Sequence, residues 1–388
     1  MQSRMQGHAL LLATLLLLLG VLLSPLRAES TRALQDGPYI TRSAAGGWTA
    51  RWIEASGSED PAGSARVRDR AVKVGDVVTV AAVGALPAFD VELRAPARRA
   101  ADEIKVGARA PLFVMADTHG EYEIAVQLLQ RHGVIDERLR WTFGRGRLAV
   151  LGDVFDRGPN HTELLWLFYK LEAEAARAGG GVHLALGNHE TMVLTGDERY
   201  LNPKYPRVAA LLGVERYADL WNAQSLPGQW LRSKAAVFRL GDYLCLHGGV
   251  SRELVDLGLT LAQVNQIVRD ALTEQPAAPS AQASVVMGQA GPLWYRGYFE
   301  EFAREGFKLA EPADIDLIRA RFGVDAILVG HTRVPAVTAL YGGRVIAVQV
   351  YPHRDARTNA PVMEALSIRN GQMFRVRADG SSELLARP

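Results

Sequence analysis

The stretch Arg147–Gly158, RLAVLGDVFDRG, sets two carboxylates and a guanidinium within five residues: Asp153, Asp156 and Arg157. Leu148–Leu151 form the short apolar run of a strand buried on both faces, and Gly152 stops it. Ligands of open α/β sheets collect outside the carboxyl ends of such strands. Taken alone, the pattern also reads as a charged surface turn. Four further apolar runs end the same way. PLFVMADTHG delivers Asp117 and His119, and GVHLALGNHE delivers Asn188, His189 and Glu190. YLCLHGG delivers His247, and AILVGHT delivers His331. The recurrence excludes the surface-turn reading. Asp, Asn and His offer oxygen and imidazole donors without thiolate, which suits divalent metals such as Mn, Fe or Zn. Six such donors suit two ions sharing one bridging carboxylate. Of the nine histidines, His8, His132, His161, His183 and His353 lack this context and read as surface or packing residues.

The elements that must position these residues follow from periodicity. Glu121–His132 predicts a helix stopped by Gly133, with Ile124, Leu128 and Leu129 on one face. Asn160–Ala178 predicts an amphipathic helix opened by a capping box of Asn160 and Glu163. Thr260 and Gln263 form the same signature before Val264, Ile267 and Val268. Thr273–Gly291 is rich in Ala, Pro, Ser and Gln and predicts a loop over the site face or an inert surface insertion. Arg344–Val350, Val362–Ile368 and Met373–Val376 predict a β-rich tail forming a second sheet.

Residues 1–28 stand apart. Arg4 precedes an uncharged leucine-rich stretch, Ala9–Leu23, of signal-peptide length. Export to the periplasm or beyond is expected. An uncleaved membrane anchor is the alternative, since Leu26-Arg27-Ala28 is a mediocre cleavage site. Two of the 44 basic residues, Arg4 and Arg27, lie in this segment, so the remainder has as many basic as its 42 acidic residues. That balance gives no electrostatic reason to expect nucleic acid as a partner. Cys245 is the only cysteine, so no intrachain disulfide forms, and its strand position reads as a small buried hydrophobe. Residues 29–110 read as a β-rich accessory region: Trp48–Glu54, Ala65–Val74, Val77–Val83 and Phe89–Leu93 are strand-like pieces between turn signals. Gly57–Gly63 reads alternatively as a tether. The main domain spans residues 111–388, and its βα alternation begins at residue 111.

Taken in order, the five motifs resemble those of the calcineurin-like metallophosphoesterases. The resemblance is narrower to the phosphoprotein phosphatase branch, and Glu163–Glu190, Thr195–Tyr200 and Pro292–Tyr298 resemble the Shewanella-like protein phosphatases. It implies an α/β fold with two central β-sheets packed face to face and flanked by helices. It implies a first metal held by Asp117 and His119, Asp153 as the bridge, and a second metal completed by Asn188, His247 and His331. His189 would be the general acid, oriented by Asp156. Arg157 would clamp phosphate oxygens, joined by Arg296 of PLWYRG. Ala116 departs from the family's usual glycine before the first aspartate.

The residues support that chemistry directly. Two cations would neutralise a phosphate monoester dianion and lower the pKa of a water shared between them, for in-line attack. Arginine's planar fork matches phosphate oxygens, and a histidine beside a carboxylate can protonate the leaving oxygen. The expectation is a dinuclear phosphomonoesterase, Mn being the first choice of metal, acting on phosphoproteins or phosphopeptides. Phosphotyrosine is favoured because Trp294, Tyr295, Tyr298 and Phe299 flank Arg296. A symmetrical dinucleoside tetraphosphate hydrolase is the alternative, opposed by Glu190 where that group has aspartate. A non-catalytic tethered binding module is the other.

Overall fold

The computed structural model describes residues 34–43, 46–55, 65–95, 99–107, 109–273 and 279–385. The signal-like segment and the 57–63 tether therefore lie outside the described residues. Two six-stranded sheets dominate. The first runs in the order Ser382–Leu384, Gln372–Arg377, Glu364–Arg369, Leu112–Met115, Arg147–Val150, Gly181–Leu184. Its last three strands are parallel and almost wholly buried, as their unbroken apolar runs require. The second sheet runs in the order Thr338–Leu340, Val345–Ala347, Ala326–Val329, Tyr243–Leu246, Val237–Leu240, Glu103–Ile104. The two sheets pack against each other and are flanked by helices, as expected, and one continuous apolar core joins them.

Helices form where the periodicity places them, at Tyr122–Arg131, His161–Arg177 and Leu261–Thr273. The Thr260–Gln263 box is made: the Thr260 N–H donates to Gln263 Oε1 at 2.9 Å, and the Gln263 N–H donates to Thr260 Oγ1 at 3.3 Å. The Asn160 box is not. Asn160 makes no side-chain cap, and Glu163 turns to Lys204 Nζ, 3.7 Å away, because a buried carboxylate gains more from an ammonium. The 279–291 part of the expected loop holds a helix, Ala281–Met287, packed on Leu261–Thr273. The tail does not gather into one second sheet: His353–Arg354 pairs with Pro361–Val362 alone, and the longer strands join the two main sheets. Val345–Ala347 pairs with Ala326–Val329, whereas Glu364–Arg369 pairs with Leu112–Met115. Ahead of the main sheets, Asp36–Arg42, Trp48–Ala55 and Ala65–Val72 form an antiparallel sheet, and Val77–Val80 pairs with Phe89–Glu92. Among the described residues no helix is long and apolar enough to cross a membrane.

Candidate active site

Five strands, three from the first sheet and two from the second, end at one place. Met115, Val150 and Leu184 close strands that are followed by Asp117, Asp153 and Asn188. Leu246 and Val329 precede His247 and His331. The connecting turns are strained. Among the described residues ten non-glycines have positive φ, and six of them are Asp117, His119, Asp153, Asp156, Arg157 and His331. Such backbone persists only where its surroundings over-determine it, and it clusters at functional sites. The turns hold one another: the Asp117 N–H donates to Gly152 O at 3.1 Å and the His119 N–H to Asp153 O at 2.9 Å. Close approach explains Gly330, where a Cβ would lie 2.4 Å from Asp117 Oδ2 and 3.0 Å from the Ala116 methyl. Ala116 itself is not in the left-handed region, so its methyl is accommodated.

The ten residues singled out in the sequence converge here. A cavity of about 140 Å³ is lined by Asp117, Asp153, Arg157, Asn188, His189, Arg296 and His331, with Tyr200, Trp294 and Gln349. His119 Nε2 lies 3.7 Å from Asp153 Oδ2, His247 Nε2 lies 3.2 Å from the same oxygen, and Asp156 Oδ2 lies 2.5 Å from His189 Nδ1. His119 and His247 direct Nδ1 at backbone carbonyls, Phe155 O at 2.9 Å and Leu151 O at 2.7 Å. Each therefore carries a proton on Nδ1 and turns Nε2 inward, the orientation of a metal-ligating imidazole. His247 Nε2 then meets Asn188 Oδ1 at 2.9 Å and His331 Nδ1 at 3.1 Å. Asp117 Oδ1, His119 Nε2 and His331 Nε2 are buried with no hydrogen-bond partner. Lone pairs crowded together in a buried space fit cations. Two triads suit an ion, His119–Asp153–His189 and Asp153–His247–His331, and Asp153 is common to both.

Electrostatics agree. Burial pushes the Asp117 carboxyl up to about 7 and pulls His119 down to about 3. Burial also opposes charge on His247, but Asp153 and Asp117 outweigh it and raise the imidazole to about 9. His189 is raised too, burial being outweighed by Asp153 and then Asp156.

Glu190 served only to separate two families in the sequence. In the fold its carboxylate accepts from four backbone N–H groups: Asp153 at 2.8 Å, Val154 at 2.7 Å, Phe155 at 3.1 Å and Gly187 at 2.7 Å. Its place three residues after Gly187, at a helix start, was the available signal. Tyr200 and Gln349 gave none, since each reaches the cavity from its own loop. Of the aromatics around Arg296, Trp294 lines the cavity. Tyr295, Tyr298 and Phe299 are core residues, with Tyr298 Oη held by Val250. His161 and His183 are buried or nearly so, His132 is partly buried against Arg377 O, and His353 is exposed. Cys245 is buried, and burial pushes its thiol up.

Residues 110–335 match the model of the calcineurin-like phosphoesterases. The chain belongs to that family. It is a metallophosphoesterase, a phosphoric monoester hydrolase. Among its relatives is Shewanella-like protein phosphatase 2 of Arabidopsis thaliana, 26% identical over 307 residues, covering 68% of this chain and 76% of the relative. Shewanella-like protein phosphatase 1 of Plasmodium berghei is 26% identical over 235 residues, covering 58% and 62%. The crystal structure of a cold-active protein-tyrosine phosphatase from a psychrophilic Shewanella superposes with a TM-score of 0.77 at 33% identity, covering 91% of this chain and 99% of that one. For a calcineurin-like phosphoesterase the shared Asp153 and the orphaned donor atoms are the expected place of divalent metals.

Proposed function

We propose that this phosphoesterase hydrolyses phosphomonoesters of proteins, with phosphotyrosine preferred over phosphoserine and phosphothreonine. The observation that carries the reading is one cavity lined by Asp117, Asp153, Asn188, His331, Arg157, Arg296 and His189, with His119 and His247 set against Asp153 and with Asp156 behind His189. Asp117 and His119 would hold one cation, Asn188, His247 and His331 the other, with Asp153 between them. Divalent cations, Mn first and Fe or Zn next, would supply charge neutralisation and an ionised water as nucleophile. The chain supplies the rest. Arg157 and Arg296 flank the cavity and can take phosphate oxygens through their planar forks. Asp156 holds His189 by Nδ1, so Nε2 faces the cavity and can give a proton to the departing oxygen. Trp294 and Tyr200 add aromatic surface for an aryl leaving group. Such contact contributes about 0.5–1.5 kcal/mol, a preference of about two- to tenfold. The Shewanella protein-tyrosine phosphatase supports the same preference.

The test is kcat/KM on matched phosphotyrosine, phosphoserine and phosphothreonine peptides, with diadenosine tetraphosphate alongside. A phosphotyrosine optimum is expected. A phosphoserine or phosphothreonine optimum overturns the preference alone, and faster cleavage of the dinucleotide overturns the protein-phosphatase reading. Export through residues 1–28 belongs to the same proposal, and full-length chain in the cytoplasmic fraction counts against it.

A further inference from the structure

The N-terminal strand Asp36–Arg42 lies directly behind the turn that carries Asp156 and Arg157. Both residues hold positive φ, 71° and 62°, without being glycine. Something must over-determine that backbone: the Arg157 N–H donates to Tyr200 O at 3.0 Å and its carbonyl accepts from Asn202 Nδ2 at 2.8 Å, whereas the contacts of Asp156 trace to the strand. The Asp156 N–H donates to His161 Nδ1 at 3.3 Å. This places the imidazole proton on Nε2, which donates to Tyr217 Oη at 2.7 Å. Tyr217 Oη lies 3.2 Å from Tyr39 Oη, which in turn lies 3.1 Å from Thr162 Oγ1. The His161 ring stacks on Tyr205, 3.7 Å between centroids and 13° between planes. A second line meets the same turn three residues on. Lys204 Nζ lies 3.0 Å from Asp36 Oδ2 and donates to Pro159 O at 2.8 Å, and Tyr205 Oη donates to that carbonyl at 2.9 Å. Trp166 Nε1 ties the strand down through Pro38 O at 2.9 Å. Tyr39, His161, Tyr205 and Tyr217 are fully buried.

We infer that Asp36–Arg42 is a positioning element for proton donation. Tyr39, Tyr217 and His161 are positioning residues that aim Asp156, and through it His189, at the leaving oxygen. The inference rests on the reading of His189 as the general acid. It also gives the N-terminal sheet a part in turnover, beyond adding buried surface.

The test compares Tyr39→Phe, His161→Phe and His161→Asn on phosphate esters of graded leaving groups, from nitrophenyl to phenyl to alkyl. His161→Asn keeps an acceptor near the position of Nδ1. His189→Asn runs alongside as the reference, with bound metal and thermal midpoint measured for every variant. Loss of one hydrogen bond in the line should lower kcat on the alkyl phosphate by about two- to tenfold. The nitrophenyl ester should change little, KM and metal content should hold, and His161→Asn should recover part of the loss. Tyr39→Phe removes one hydroxyl and decides the matter if His161→Phe does not fold. Equal losses on all esters, or a lower thermal midpoint with kcat intact on the folded variant, overturn the inference. If His189→Asn steepens the leaving-group dependence and Tyr39→Phe and His161→Phe do not, the inference fails alone. If His189→Asn does not steepen it, the acid reading fails and the inference falls with it.

Discussion

Two buried polar clusters lie on either side of the Asp156 turn, and they are built on opposite terms. Behind it, Lys204 Nζ stands 3.0 Å from Asp36 Oδ2 and 3.7 Å from Glu163 Oε1, so the carboxylates have their cation within the chain. Burial alone would lower the Lys204 ammonium, but Asp36 and Glu163 outweigh it and raise it. In front of the turn, Asp117 and Asp153 face four imidazoles with no lysine among them, and three donor atoms have no partner. The first cluster sets one ammonium between two carboxylates, burial raises the Glu163 carboxyl to about 7, and the cluster braces the fold. The second turns unpartnered oxygen and imidazole nitrogen atoms into one buried space, and it alone is ringed by left-handed backbone on both carboxylates. Buried charge without a partner is too costly to persist as decoration, so the difference separates a support from a site.

The largest expected effect breaks the second cluster. Asp153→Asn removes the carboxylate shared by both triads, and turnover should fall by at least about 10³-fold, the equivalent of several kcal/mol of lost charge stabilisation. Bound metal, counted by elemental analysis, should fall with it. Two ions per chain at near-normal turnover would contradict the assignment. Next comes His189→Asn, which should cost about 10²- to 10⁴-fold on an alkyl phosphate and distinctly less on a nitrophenyl ester. Equal losses on the two esters would remove His189 from the role of acid.

Breaking the brace should show in stability rather than in metal. Lys204→Met leaves Asp36 and Glu163 buried without a cation and should cost about 3–5 kcal/mol in denaturant unfolding, with metal content of the folded protein unchanged. A loss under about 1 kcal/mol would mean the cluster is not a brace. The smallest effect concerns His183, outside both clusters. Burial and then Arg147 hold its imidazole down to about 4, against an ordinary 6.5. The unfolded chain therefore takes up that proton first, and stability falls as pH drops from about 6.5 toward 4. His183→Gln should flatten that limb of a stability–pH curve, and an unchanged limb would exclude the histidine as its source.

The site was more legible than its support. Every donor follows an apolar run closely in sequence, so a reader of Leu148–Asp153 or Ala326–His331 meets strand and ligand together. The helices at Tyr122–Arg131 and His161–Arg177 announced themselves by periodicity. What stayed hidden depends on distant pairing. Tyr39 meets Tyr217 across 178 positions, and no local pattern marks either one. His161 read as packing because its partners, Asp156 N and Tyr217 Oη, become visible only once the helix folds back on its own turn. The strand Asp36–Arg42, with Gly37 and Pro38 at its start, lacked an alternating pattern because the whole of Asp36–Ile40 is buried. Ala281–Met287 is helical although its composition reads as loop, because Ser280 caps it through the Ala283 N–H and Val286 anchors it in the core. Glu364–Arg369 joins the first sheet because Leu112–Met115 offers a free edge, which the tail's own composition does not encode.

The central claim is that the front cluster is a two-cation hydrolytic centre. The most direct measurement strips the protein with a chelator, adds back Mn in known increments, and follows bound metal and phosphotyrosyl-peptide hydrolysis on the same samples. The account predicts saturation at two ions per chain, with hydrolysis absent in the stripped protein and restored as the pair of sites fills. Full turnover with no bound metal, or saturation at two ions with no effect on turnover, would contradict it.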